Sequence, residues 1–297
     1  MNDLVGNIKE VVSGLVEESL AHQDESLASP DDTAANKILQ YAVKKGELTA
    51  MAARVDGNIE HLVMALAKYL SVDKKRSVAV YFTTGVYDFY VKKLLLAMLE
   101  KTEAEAYETL FLSWDKFVEQ NPIDSLFDIP VSVRDVAEMD IDELCALIEA
   151  ESKKGVQYFF VDKILGIYEK NVMRNPKHTI SLQAIKLRRL AKRLNVSIIV
   201  TTFLGDEIYY REGPSGVLPR LSDFEETGNL GSIADAVLAM SDPAILDFKV
   251  DMLGNSLENR LIISVLKSSH VKPFEFYIDK DREYLKYVVA KEKYNFD

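Results

Sequence analysis

The chain has 297 residues, 48% of them hydrophobic, a net charge of −11 and a single cysteine. That is material for one sizeable core with at most a subdomain, and the lone thiol, Cys145, excludes an intramolecular disulfide framework and a multi-cysteine metal site. No apolar run reaches the ~18 residues of a membrane span, and the N-terminus is acidic where a secretory signal is basic, so a soluble cytoplasmic protein with no membrane partner is expected.

The charge is unevenly placed. Residues 1–35 carry eight acids against Lys9 alone. Within them Leu4, Val5, Ile8, Val11, Val12, Leu15, Val16 and Leu20 form a helical stripe. Asp24–Thr33, DESLASPDDT, is short, polar and Pro-containing, and reads as a linker. Two units follow: 1–35, a helix with its acidic linker, and 36–297, the core. In the core, strands are expected near 48–53, 77–83, 156–162, 196–202, 235–240, 261–267 and 274–278, and helices near 59–71, 86–101, 103–120, 140–153 and 179–194. Alternating strands and helices predict a mostly parallel sheet covered on both faces. The late runs LIISVLK and FEFYID, with KYVV after them, lack intervening helices and predict an antiparallel edge. Cys145, set in Leu144-Cys145-Ala146-Leu147, reads as a structural thiol.

Between Gly46 and Leu70 the chain has the strand, turn and helix layout of a nucleotide-binding loop without its phosphate ligands. Such a loop needs glycines whose N–H groups curl around phosphates, a Lys for the terminal phosphates and a Ser or Thr for magnesium. Here the turn is Arg54-Val55-Asp56-Gly57-Asn58-Ile59-Glu60, and no Gly-Lys dipeptide occurs in the chain. Ile59 cannot contact a triphosphate and Glu60 would repel it.

The frame around that turn, GELTAMAAR followed by an apolar helix and the strand SVAVYF, resembles the start of the RecA-like motor domain of DnaB-type replicative helicases. Further motifs follow in order. Tyr158-Phe159-Phe160-Val161-Asp162 with Lys163-Ile164-Leu165-Gly166 resembles the family's Walker B strand and its continuation. Ile185–Ile199, IKLRRLAKRLNVSII, is similar to its SLKALAKELNVPVI. Pro219–Leu230, PRLSDFEETGNL, is similar to P-x-LSDLRESGSI and runs into Ala234–Leu238, ADAVL. The resemblance covers about residues 4–288 and implies an α/β RecA-like three-layer sandwich, a mostly parallel sheet with an antiparallel edge, preceded by a linker helix that docks on the next subunit. A helix capping its own domain explains the Leu4–Leu20 stripe equally well.

The resemblance also implies where ATP chemistry would sit, and those positions are changed. The water-polarising Glu maps to Gly85, in Phe82-Thr83-Thr84-Gly85-Val86, and Gly85 cannot act as a base. The Walker B acid is kept as Asp162, which is also an ordinary strand-end residue. The γ-phosphate-sensing Gln maps to Phe203, which offers no amide. Lys267 retains the Lys of the K-x-R-x-G segment, but Ser269 stands where its Arg finger belongs, and Glu225 replaces the Arg of LSDLRESG. Losing an arginine finger alone can cost about 10³–10⁵ in rate. The vestigial nucleotide site is therefore Asn58, Ile59, Glu60, Gly85, Asp162, Phe203 and Lys267, with no catalytic residue. His22, His61, His178 and His270 lack partners at metal-ligand spacing. Asp56, Glu60 and His61 share the turn and could hold a cation, but a solvated helix N-terminus, where acids favour the helix dipole, explains them as well. No metal and no cofactor are expected.

From Lys170 to Arg193 there are eight Lys or Arg residues and no acid. In the family, loops matching about 168–178 and 206–217 hold single-stranded DNA, so Lys170, Arg174, Lys177 and His178 are candidate phosphate contacts, opposed by Asp206, Glu207 and Glu212. A solvated amphipathic helix is the alternative. The function expected is that of a DnaB-like protein of DNA replication that has lost its ATPase residues and acts as a non-hydrolysing scaffold, contacting itself or a homologous replicative helicase. The alternatives are a divergent ATP-dependent helicase domain and a passive single-stranded-DNA-binding module.

Overall fold

Short runs such as Val78–Phe82 (VAVYF) and Tyr158–Asp162 (YFFVD) offer water no polar face, so both sides must be covered. The computed structural model, which describes residues 34–85, 87–102, 104, 128–168, 175–211, 218–246, 249–250, 254, 256–281 and 286–289, covers them with helices on each side. The strands are β1 (Leu48–Ala53), β2 (Val78–Phe82), β3 (Val131–Asp135), β4 (Tyr158–Asp162), β5 (Ser197–Phe203), β6 (Ala236–Ser241), β7 (Arg260–Lys267), β8 (Phe274–Asp281) and β9 (Lys286–Val289). They form one sheet in the order β3-β2-β4-β5-β1-β6-β7-β8-β9. It is parallel from β3 to β6 and antiparallel from β6 to β9. The expected α/β three-layer sandwich with an antiparallel edge is what forms, KYVV included.

Alternate side chains along each strand serve opposite cores. Val78, Val80, Phe82, Phe160 and Met51 face one cluster, with Ile38 and Leu39 of α1 (Ala34–Ala42), Leu62 and Leu66 of α2 (Ile59–Lys68) and Leu94 of α3 (Tyr87–Met98). Ala79, Tyr81, Phe159 and Val161 face the other, with Leu144 and Ile148 of α4 (Ile141–Ser152) and Ala184 and Leu187 of α5 (Pro176–Leu194). Local signals fix the ends. Asp140 and Glu143 make a reciprocal capping box on α4, and α5 opens with an Asn175 cap and a proline at its head and closes on left-handed Asn195. Among the described residues the last α-helix is the single turn α6 (Leu230–Ile233).

Some of the polar groups that this packing buries are paired with one another. The Tyr81 hydroxyl donates to Glu151 at 2.7 Å, and Arg134 meets the same carboxylate at 2.7 Å. Burial, then that bond, pushes the Tyr81 hydroxyl far above its ordinary range. Strand β3 and helix α1 are additions to the expected elements. Residues 1–33, the 103–120 helix beyond Thr102 and Ala104, and Lys170, Arg174 and Glu212 lie outside the described residues.

Candidate functional site

Parallel strands bring their carboxyl ends to one edge, where β1, β2, β4 and β5 deliver the sequence-predicted site. Ala53 is in register with Phe203, and Phe82 with Asp162. The turn after β1 is closed on itself. The Gly57 N–H donates to the Arg54 carbonyl at 2.8 Å, and Arg54 faces Asp56 at 3.5 Å. Asn58 adopts a left-handed backbone (φ 53°) as it opens α2, which Asn tolerates better than most residues. Gly57 is required by close packing: a Cβ would stand 2.8 Å from that of Ala53.

Ile59 points into the core, 1% exposed, among Met51, Leu62, Leu238 and Ile263. Glu60 corrects the reading of a solvated helix N-terminus, for it is only 7% exposed and its carboxylate pairs with the Lys163 ammonium. That ammonium lies 4.1 Å from the centroid of the Phe203 ring, in the position for a cation–π contact. The Lys163 backbone is fixed from β2: its N–H donates to the Thr83 hydroxyl at 2.9 Å, and that hydroxyl donates to the Lys163 carbonyl at 2.7 Å. Gly166 lets this clamp close, since any Cβ there would run into Thr83.

Asp162 is fully buried. Thr201 donates to its Oδ1, while among the described residues Oδ2 has no hydrogen-bond partner. Burial, with the Glu60 charge, pushes its carboxyl up to about 6 against the opposing Thr201 bond and Lys163 charge. Tyr90 closes the flank, stacked on Phe82 at 5.2 Å and edge-on to His61 at 6.4 Å. Its hydroxyl is raised by burial first and then by the Glu60 and Asp162 charges. Gly85 is exposed with φ +73°, and a Cβ there would meet nothing within 4 Å, so a Glu would have space but a strained backbone.

Three expected site residues, Glu60, Asp162 and Phe203, thus converge around Lys163, while Ile59 is turned away into the core. Lys163, Thr83, Thr201 and Tyr90 join them and were missed. A readable signal existed for Lys163: a cation follows the Asp at a strand's carboxyl end, in a chain that places an acid where the neighbouring helix begins. Lys267 sits elsewhere. Its ammonium donates to the carbonyls of Gly231, Ser232 and Ala234 at 3.2, 2.9 and 2.6 Å, and burial lowers its pKa. Ser269 and His270 both meet Glu47, at 2.7 and 3.1 Å. Cys145 is part-buried, and burial, then the Asp142 charge, pushes its thiol up to about 11, as suits a structural thiol. Among the described residues no group of three His, Cys, Asp or Glu could hold a metal ion.

The magnesium triphosphate that the resemblance implies does not fit this arrangement. Ile59 at the head of α2 is turned into the core, Glu60 beside it presents a carboxylate, and the Lys163 ammonium already neutralises that carboxylate beneath the Phe203 ring. The basic stretch is partly engaged. Lys186, Arg188 and Arg193 of α5 pair with Asp142, Asp235 and Glu149 at 2.7, 2.6 and 2.7 Å. Lys177 and His178 are exposed in its first turn, with Lys177 3.8 Å from Glu226.

The raised Asp162 carboxyl makes stability depend on pH in a defined direction. A folded-state pKa above the unfolded value contributes stability that is present below about pH 4 and lost as the pH rises through about 6. The full swing is on the order of 3 kcal/mol. Asp162→Asn is expected to flatten the slope of unfolding free energy between about pH 4 and 6, measured by urea titration; an unchanged slope would refute the assignment.

Residues 37–284 match the family described as DnaB-like helicase C terminal domain. Many solved structures share the fold, and two of them illustrate the likeness. One, described as an ATPase domain, superposes with a TM-score of 0.77 at 16% identity, covering 96% of this chain and 99% of that one. A DnaB-like replicative helicase, described with its interactions with primase, superposes with a TM-score of 0.76 at 17% identity, covering 95% of this chain and 66% of that one. No curated protein sequence matches. At these identities the likeness to the two structures is one of fold.

Proposed function

The chain belongs to the DnaB-like helicase C-terminal domain family, and within it we propose a non-hydrolysing member that acts in DNA replication through protein contact. The observation that carries this reading is the Glu60–Lys163 pair beneath Phe203. It fills with the chain's own charges the place where a phosphate and its metal would have to enter. A divergent ATPase would need a different cradle. The turn amide of Gly57 is bonded within the turn, and Lys267 is held on three carbonyls, so neither serves as one.

Contact with a second copy or with a homologous replicative helicase is supported by what the same edge shows to water. Tyr210 is 84% and Phe89 53% exposed, and Val55, Leu165 and Tyr168 are exposed with them. All lie on the segments that follow β1, β2, β4 and β5, at the edge where the carboxyl ends of these strands meet, and apolar exposure at one edge suits an interaction surface. Single-stranded DNA is a weaker candidate ligand, because Lys177, one of its candidate contacts, already faces Glu226 at 3.8 Å.

The test is a titration of the full chain with Mg-ATP and Mg-ADP, alongside light scattering with and without a replicative helicase. No nucleotide binding up to millimolar concentration, no DNA-stimulated hydrolysis and a protein complex are expected. Micromolar nucleotide binding that Asp162→Ala abolishes would replace this reading with the divergent ATPase.

A further inference from the structure

We propose that the Lys163 ammonium is a tethered cation surrogate: it neutralises the buried Glu60 carboxylate next to the buried Asp162, where a divalent ion would otherwise be needed to hold the two. The proposal deepens the non-hydrolysing reading and rests on it for the absence of nucleotide.

Two ionised carboxylates packed from different elements into one dry site repel each other, and such a site is stable only with a proton, a metal ion or a basic side chain among them. Here α2 supplies Glu60 and β4 supplies Asp162. The chain supplies the cation one residue after Asp162, paired to Glu60 and covered by the Phe203 ring at 4.1 Å. Both neighbouring charges are felt by Asp162, whose proton affinity the Glu60 charge raises and the Lys163 charge lowers. Asp162 Oδ2, fully buried and with no hydrogen-bond partner among the described residues, is the acceptor that the arrangement leaves open. Thr83 holds both the N–H and the carbonyl of Lys163, so the ammonium is delivered by a fixed backbone. Such an ion cannot leave, and the junction between α2 and β4 is independent of metal and nucleotide.

Removing the ammonium should expose the latent site. Hard divalent cations are commonly bound through one or two carboxylates, with water completing the shell. In full-length Lys163→Ala, Mn²⁺ binding followed by electron paramagnetic resonance is expected to be at least about 10-fold tighter than in the wild-type chain. Adding Glu60→Gln in the same background should return it to the wild-type level. Stability should follow binding: about ten Kd of free Mn²⁺ raises the folding equilibrium constant about 10-fold, and KCl of equal ionic strength does not. If Lys163→Ala fails to fold in metal-free buffer, refolding in Mn²⁺ against KCl decides, with recovery of helical circular dichroism only in Mn²⁺ supporting the proposal and none in either overturning it. Mn²⁺ binding equal to the wild type, or unaffected by Glu60→Gln, overturns it too. The two readings fail separately. ATP hydrolysis by the wild-type chain counts against the non-hydrolysing reading, and indifference of Lys163→Ala to Mn²⁺ counts against the surrogate.

Discussion

Lys163→Met is expected to destabilise the fold by about 3–5 kcal/mol, and Glu60→Leu by a similar amount, because removing one partner leaves an uncompensated charge in a dry site. Both side chains are buried at the edge of the sheet, at 10% and 9% exposure, so solvent does little to relieve the remaining charge. The double variant Glu60→Leu with Lys163→Met should recover most of the loss, ending within about 1.5 kcal/mol of the wild type, since apolar replacement of a whole buried pair is often neutral. Urea titrations of the four chains give the coupling directly. Single variants close to the wild type would mean that the pair is solvated or unmade, and the account of the closed site would fall with it.

The second large effect is expected at Gly228. Its φ is +73°, and a Cβ there would lie 2.6 Å from the Lys177 carbonyl oxygen, 2.8 Å from the Ile180 Cβ and 2.8 Å from the Ser181 N. The Gly228 carbonyl also accepts the Ser181 hydroxyl at 2.7 Å. The turn before α6 therefore lies directly on α5, backbone against backbone. Gly228→Ala adds left-handed strain to overpacking, together about 2–4 kcal/mol, and should lower Tm by roughly 5–10 °C. A calorimetric Tm within about 1 °C of the wild type would show that α5 and the turn can part freely.

That glycine also shows how legible the chain was. It falls in the Pro219–Leu230 motif, which sequence alone singles out, but the motif does not say that the glycine is needed to let α5 approach. The central strands were readable because consecutive apolar residues leave no solvent face. Strand β3, VSVRD, escaped because it is an edge strand with a half-exposed pattern and little length. Helix α1 escaped because its nine residues follow a polar, Pro-containing segment directly. At the site, the missing phosphate ligands could be read position by position. The pairing that fills their place could not, for Glu60 and Lys163 are 103 residues apart and nothing local ties one to the other. The helix-dipole argument for Glu60 described an isolated helix end, and burial beside β4 and β5 overrode it.

The position of β1 sets a timetable for making the protein. It is the second element in the described chain, yet it lies between β5 and β6, and the Leu48 N–H donates to Asp235, 187 residues later. At about 5–20 residues per second of synthesis, the innermost strand emerges and then waits roughly 10–40 s for its neighbours. During that interval LTAMAA has no sheet to join and is a target for holdase chaperones or for mispairing. Fragments that stop before β6 would leave the same strand bare on one side, so shortened forms of this protein should be made insoluble or degraded in the cell rather than accumulate.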